Sequence, residues 1–301
     1  DDPCWVLLSS TGLLARTSDD SALPRAGERA KHDVVVSTVK ATARADVGVV
    51  TSHGRVVRLS VLDLPALPNT ASAPNLAGGA PVAEFLDLGG AERALALVDL
   101  EDDTVALALG TAAGVVKRVA AESPPSKDSW SVISLKDGDE VIGAVALTTG
   151  GEELVFVTAG AQLLHFPASS VRPQGRPAGG MAGVKLVGDD RVVFFGALDP
   201  SVDGQVVTVS GSSAALPGTD AGSVKVTPFS EYPAKGRATG GVRCHRFLRG
   251  EDILLIAWAG VAPARAAAAT GVPVALPDPV GRRDGSGIPG TQPIAAVAGS
   301  G

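Results

Sequence analysis

The chain has 301 residues, 45% of them hydrophobic against 19% charged, so it can bury enough apolar surface to fold and is not disordered by composition. Its 26 Lys and Arg stand against 32 Asp and Glu, a net charge of -6, which excludes a whole-molecule basic attraction to nucleic acid and confines any such binding to local patches. Cys4 and Cys244 lie too far apart in sequence for a dense disulfide framework or a four-cysteine zinc site, no apolar run reaches the ~18 residues of a membrane span, and Asp1-Asp2-Pro3-Cys4 lacks a signal-peptide layout.

These features fit a reducing, cytoplasmic setting and a domain cut from a longer chain. Read from the N-terminus, one unit recurs: an apolar run, a Gly, two or three apolar residues, then a base. It appears as Trp5-Val6-Leu7-Leu8 with Gly12 and Arg16, then Val47 with Gly54 and Arg58, then Val105 with Gly114 and Arg118. Looser copies are Leu154 to Thr158 with Gly160 and His165, then Gly222 with Lys225, then Ile253 to Ile256 with Gly260 and Arg265. A Pro follows each base by seven or eight residues: Pro24, Pro65, Pro125, Pro173, Pro233 and Pro273. Six linked units about fifty residues apart are the spacing of propeller blades. The runs are short, rich in Val and Leu, and bounded by Gly, Asp-Gly or Pro, which is the chemistry of strands and hairpins.

The prediction is therefore all-β: a six-bladed, propeller-like domain over 1–301, with blades near 1–45, 46–100, 101–150, 151–200, 201–250 and 251–301. A closed ring leaves few free sheet edges. Helical signals are few: Ala91 to Leu100 and Ala264 to Thr270 offer at most a turn or two, since Gly or Pro closes both and neither shows a long 3.6 period. Pro65 to Pro81 is predicted to be a surface loop between the second and third repeats.

Residues 153–186 read ELVFVTAGAQLLHFPASSVRPQGRPAGGMAGVKL, and 222–247 read GSVKVTPFSEYPAKGRATGGVRCHRF. Both resemble the recurrent blade pattern VT..G..KRTP.SEY..QGRGGKGV of the C-terminal domain found in the DNA-cleaving A subunits of bacterial type IIA topoisomerases, gyrase and topoisomerase IV. DEVIGAVAL, beginning at Asp139, stands where that family has its preceding D.VIGA..L strand. The resemblance implies a six-bladed β-pinwheel that binds and bends double-stranded DNA along its rim. It also implies a non-catalytic, cofactor-free part of an ATP-dependent type II DNA topoisomerase. Its partners would then be the N-terminal cleavage core of the same chain and the ATPase subunit of the holoenzyme, in the bacterial cytoplasm with the nucleoid and away from any membrane. A basic, Gly-rich box, QRRGGKG, supports tight wrapping in gyrase. Here its nearest match runs from Gln174 to Gly183, with Gln174, Arg176, Gly179 and Gly180 in register. Lys235, Arg237 and Arg243 form a second match around Gly240-Gly241, and Arg282-Arg283 a partial third. The first unit instead has Arg25, Arg29 and Lys31 without the box pattern, which resembles topoisomerase IV more than gyrase and implies weaker wrapping.

Charge is unevenly spread. Residues 172–185 carry Arg172, Arg176 and Lys185 with no acid, and residues 225–249 carry Lys225, Lys235, Arg237, Arg243, Arg246 and Arg249 against Glu231 alone. Acids gather at Glu84, Asp87, Glu92, Asp99 and Glu101 to Asp103, and again at Asp137, Asp139, Glu140, Glu152 and Glu153. A base beside Gly suits phosphate, because a missing Cβ lets backbone N–H groups approach an oxygen. Aromatics at 4% are too few for a single-strand stacking platform, so backbone contact and bending of a duplex are expected. The repeat bases Arg16, Arg58, Arg118 and Lys225 either touch phosphate along the rim or end a strand in solvent. His53, His165 and Cys244-His245 lack metal-ligand spacing. No P-loop or nucleophile elbow occurs, and Gly285 to Gly290 matches GxGxxG only by composition, because Pro289 and Pro293 forbid the helix that should follow. Tyr232 fits the blade pattern at SEYP and not a cleavage tyrosine. Two other readings stay open: a propeller scaffold that binds protein and no DNA, and a propeller hydrolase with acids converging on the central channel.

Overall fold

A computed structural model describes residues 1–299. Its strands form six small sheets, blades 1 to 6 in chain order. Each of the first five blades is built on three antiparallel strands. In blade 1 these are Pro3–Ser9, Leu13–Thr17 and Val35–Thr42, with the third pairing back on the first. The hairpin between the first two strands needs a left-handed residue at its tip, hence Gly12, Gly54, Gly114 and Gly222 at φ 78°, 75°, 85° and 58°. Blade 4 departs from this with Ala161 at φ 63°.

The third strands face the middle of the ring. Val35–Thr42, Ala94–Asp99, Val141–Leu147, Val192–Leu198, Ile253–Val261 and Ala296–Ala298 pack each on the next, and the last packs on the first. This closed circle establishes the six-bladed, propeller-like arrangement.

Apolar side chains fill the spaces between neighbouring blades. Phe156 of blade 4 lies with its ring centroid 4.9 Å from that of Phe195 and packs with Val116, Leu154 and Phe166. Blade 3 yields room for this layer through Gly110, where a Cβ would stand 2.2 Å from the Phe195 ring.

The outermost strand of a blade comes from the following repeat. Ala66–Leu67 and Ala80–Pro81 complete blade 1, Ser129–Ser131 blade 2, and Pro173–Gln174 with Met181–Ala182 blade 3. Val242–Arg243 completes blade 4 and Ile288–Pro289 blade 5. The first repeat closes the circle on blade 6, where the His32 N–H donates to Gly271 O at 2.9 Å and Arg29 Nη2 to Ala266 O at 2.8 Å.

Two sequence expectations are corrected here. Ala94–Asp99 and Arg265–Ala267 are strands, not helical turns. In Ala-Leu-Ala-Leu-Val a period of two outweighs the helix preference of Ala, because strand pairing and burial decide. The segment 65–81 is a loop, but it belongs to the outer edge of blade 1 and does not link the second and third repeats' sheets.

An acid stands two residues before the third strand in five blades: Asp33, Glu92, Asp139, Asp190 and Glu251. Each accepts backbone N–H groups of a neighbouring turn, from Ala30, Gly89, Ala113, Gly160 and Leu248 respectively. Glu92 takes the Thr51 Oγ1 hydroxyl at 2.6 Å and a two-pronged Arg55 at 2.7 Å from each nitrogen. The Arg55 bonds come first in holding its carboxyl down at about 2.

Candidate nucleic-acid interface

Because the outer strands are exchanged, the loops that carry them run along the outer edge of the ring. Their charge differs from blade to blade. The blade 1 loop, 68–79, has no charged residue, and the blade 2 loop, 120–128, has Glu122 and Asp128 against Lys127. The loop of blade 3 carries Arg176, that of blade 4 Lys235 and Arg237, and that of blade 5 Arg282 and Arg283 with Asp278 and Asp284.

Backbone bonds stitch the last three loops into one strip. Lys185 N–H donates to Thr239 O at 2.9 Å, Ala238 N–H to Gly183 O at 2.7 Å, and Arg237 Nη1 to Ala182 O at 2.6 Å, joining the loops of blades 3 and 4. Arg246 N–H donates to Gly285 O at 3.0 Å, joining blade 4 to blade 5. Along this strip Arg172, Lys185, Lys235, Arg243, Arg246 and Arg282 are exposed, while Arg176, Arg237 and Arg283 are half-buried with their guanidinium groups partly engaged by carbonyls.

The Gln174 side chain folds its own loop, accepting the Gly180 N–H at 2.9 Å. Gly180 has φ 82°, and a Cβ there would meet Val116 O at 2.7 Å, so the loop passes over the strand where no other residue fits. Gly179 is exposed beside it.

Four sequence-predicted residues fall outside the strip. Arg25, Arg29 and Lys31 lie at the seam between the first repeat and blade 6, and Arg29 is committed to Asp33 at 2.7 Å. Lys225 is buried, its ammonium donating to the carbonyls of Arg282, Arg283 and Gly285, so the expectation that it meets phosphate is corrected.

Arg58 and Arg118 neither reach the rim nor end in solvent. Arg58 Nη2 donates to Pro125 O at 2.7 Å and its guanidinium lies 5.5 Å from the Trp130 ring, while Arg118 braces the carbonyls of Ala168 and Val171. Arg16 is half-buried at the same register of blade 1. Arg58 and Arg118 hold exchanged segments against their own blades.

Two participants escaped the sequence reading. Lys117 is fully buried, and its Nζ donates to Val132 O, Gly175 O, Arg176 O and Ala178 O at 2.7–2.9 Å. Desolvation lowers its pKa to about 8. Glu122 forms an ion pair with Arg176 at 3.2 Å and so occupies part of the charge the box offers. The available signal for Lys117 was its place three residues after Gly114, the same spacing that separates Lys225 from Gly222.

Tyr232 is buried, and desolvation raises its pKa. His165 binds Glu153 through Nδ1 at 2.8 Å and the Tyr232 carbonyl through Nε2 at 2.7 Å. Among the described residues no group of three or more His, Cys, Asp or Glu is placed to hold a metal, and no helix is long and apolar enough to cross a membrane.

The family model for the DNA gyrase C-terminal domain, a β-propeller, matches residues 36–72, 152–199 and 218–253. The DNA gyrase A subunit of Salmonella typhimurium is 35% identical over 196 residues, which is 64% of this chain and 20% of that protein. Its Staphylococcus epidermidis counterpart is 31% identical over 248 residues, 76% of this chain and 26% of that protein, so the chain spans only about a quarter of such proteins. In fold, the C-terminal domain of DNA topoisomerase IV superposes with a TM-score of 0.71 at 19% identity, covering 99% of this chain and 93% of the other. A DNA gyrase A C-terminal domain gives 0.62 at 17% identity, covering 98% and 99%.

Proposed function

The chain belongs to the family of DNA gyrase C-terminal β-propeller domains, and from that premise we propose that it binds and bends a duplex along the outer edges of blades 3 to 5. The observation that carries this reading is the continuous strip from Arg172 through Arg237 to Arg282, which runs over Gly-rich loops on a molecule whose overall charge is -6. Arg and Lys on backbone-open loops recognise phosphate by charge and fork geometry and need no base edge. A strip crossing three blades of a curved ring favours a duplex that follows the curve, so affinity depends on deformability more than on sequence. The domain does no bond chemistry in this reading. It positions a segment for strand passage by a cleavage core elsewhere in the same polypeptide, within an ATP-dependent enzyme that includes a separate ATPase subunit, at the bacterial nucleoid.

The neutral loop of blade 1 and the Glu122–Arg176 pair argue for a partial track with moderate affinity. Fluorescence anisotropy of a labelled duplex of a few tens of base pairs tests this. Binding should weaken with salt by roughly 0.9 log-log slope units per phosphate neutralised. Arg176→Ala and Arg237→Ala should each weaken it and lower that slope by about one. Unchanged affinity in both variants would overturn the placement, and no binding at low salt would favour a scaffold that docks protein.

A further inference from the structure

We propose that Lys117 and Lys225 are positioning residues for the DNA-contacting loops: each buried ammonium gathers the backbone carbonyls of the loop that carries Arg176 or Arg282 and Arg283 and fixes it on the blade edge. This rests on the reading of those loops as the duplex contact.

The two lysines occupy one register. Each stands three residues after the left-handed Gly of its hairpin, Gly114 or Gly222, on the second strand of blades 3 and 5. Each side chain runs inward, with 0% and 2% exposure. Each Nζ meets carbonyls of the loop donated by the next repeat, and in both cases these include the carbonyl of the arginine itself: Arg176 O at 2.9 Å, Arg282 O at 3.3 Å and Arg283 O. Lys117 also reaches Val132 O at 2.8 Å, tying the blade 3 loop to the blade 2 edge.

At the same register blades 1, 2 and 4 have Ala15, Val57 and Leu164. The loops of blades 1 and 2 carry no arginine, and that of blade 4 is held instead by His165, whose carbonyl accepts Lys235 N–H at 3.1 Å. A buried ammonium is costly unless dipoles surround it. The cage adds to main-chain anchors: in blade 5 Val280 N–H donates to Val226 O at 2.9 Å, in the register of the His165 bond of blade 4, and Lys225 gathers further carbonyls of the same loop. The lysines hold the main chain of these arginines, while the Arg282 side chain is exposed and those of Arg176 and Arg283 stay half-buried on the loop surface.

Lys117→Met keeps the side-chain volume and removes every donor. It should fold, accelerate amide exchange at Ala178 and Gly180, weaken duplex binding about fivefold and lower the salt slope by about one, as the loss of one phosphate contact would. In an Arg176→Ala background the same substitution should change affinity by less than twofold. An equal loss in both backgrounds, or a lower melting temperature with unchanged exchange at Ala178, overturns the proposal. Lys225→Met with exchange read at Gly285 provides an independent second case if the first variant does not fold.

If the unmodified chain binds no duplex, the functional reading fails while the exchange comparison still decides the positioning role. Raising the pH of the unmodified chain from 7 to 9.5 takes one proton and the positive charge from each ammonium, leaving two weaker donors for the carbonyls. The groups around Lys117 are then Glu122 and Arg176, and those around Lys225 are Cys244, His245, Arg282, Arg283 and Asp284. Intrinsic-rate-corrected protection at Ala178 and Gly285 should fall with a midpoint near 8, with Thr239 as the unaffected control, and loss of protection at all three alike overturns the assignment.

Discussion

Glu122→Gln should strengthen duplex binding. Glu122 Oε2 lies 3.2 Å from Arg176 Nη1, with side-chain exposures of 44% for the acid and 24% for the base. An exposed pair of this kind contributes ~0.2–1 kcal/mol to folding, so its loss leaves the fold intact. Arg176 Nη2 still donates to Ser123 O at 2.7 Å, which holds the guanidinium on the loop while Nη1 becomes free for phosphate. One added phosphate contact scales affinity by the salt concentration to the power of about -0.9, a gain of roughly fifteenfold at 50 mM and fourfold at 200 mM. Removing any carboxylate within a Debye length of ~10 Å also relieves repulsion, so the single variant does not discriminate by itself. The discriminating assay is anisotropy over a salt series for Glu122→Gln, Arg176→Ala and the double variant. In the Arg176→Ala background the gain should shrink to about twofold and the steeper slope should disappear. An equal gain with and without Arg176 would refute the reasoning, because Glu122 would then act only through its bulk charge.

Glu92→Gln should cost about 3 kcal/mol at neutral pH, the equivalent of holding a carboxyl at about 2 instead of its ordinary 4.5. Its pKa is depressed, so that stability is present above 4.5 and lost as the pH falls toward 2. Urea unfolding of both proteins should show the gap closing across that window, and a gap that persists at pH 2 would contradict the assignment. Asp33→Asn should loosen the ring seam, since Asp33 holds Arg29 at 2.7 Å and Arg29 in turn reaches Ala266 O. A loss of about 2 kcal/mol is expected, with faster exchange of the His32 amide and no change in Phe156 or Phe195 resonances; unchanged exchange at His32 would show that the seam is held elsewhere.

The repeat was legible where a left-handed Gly precedes a short apolar strand, as in blades 1, 2, 3 and 5; blade 4 turns at Ala161, and the sixth copy was out of register, since Ile253–Val261 with Gly260 is the third strand of blade 5 and blade 6 begins after it. The exchange of outer strands left no signature, since Pro173–Gln174, Val242–Arg243 and Ile288–Pro289 are two residues long and show no alternation. Lys225 shows the limit most sharply. Grouping it with Arg16, Arg58 and Arg118 as the base after the Gly overlooked a displacement of one residue, because those three stand four positions past Gly12, Gly54 and Gly114 while Lys225 stands three past Gly222. In a strand one residue changes the face, so the arginines brace loops and the lysine enters the core. Lys117 beside Arg118 shows both positions in one blade. The basic character of 172–185 and 225–249 was legible as a count, but which charges remain free depends on partners distant in sequence, such as Glu122 for Arg176.

The net charge of -6 and a basic strip are compatible because many of the acids serve the turns before the third strands. Asp33, Glu92, Asp139, Asp190 and Glu251 recur in blades 1 to 5, two residues before the third strand, and accept N–H groups of neighbouring turns. A turn N–H with no intrastrand partner must be satisfied wherever it is shielded from water, and a carboxylate accepts several at once. Hydrogen bonds from Arg29 and Ala30, from Arg55, and from Ser223 and Leu248 keep Asp33, Glu92 and Glu251 ionised below the ordinary carboxylate range, with burial opposing. Their charge is fixed by the fold's own donors and neutralised locally, as Arg29 and Arg55 do for two of them. The bases of the strip are instead set on Gly-rich loops, where Glu122 pairs with Arg176 and Asp284 with Arg282. A duplex approaching the edge of blades 3 to 5 therefore meets the local field, since acids more than a Debye length behind it are screened at ~0.1 M salt. At lower salt that screening weakens, so the acids of blades 1 and 2 should begin to repel the flanks of a long duplex while leaving a short one that covers only the strip unaffected.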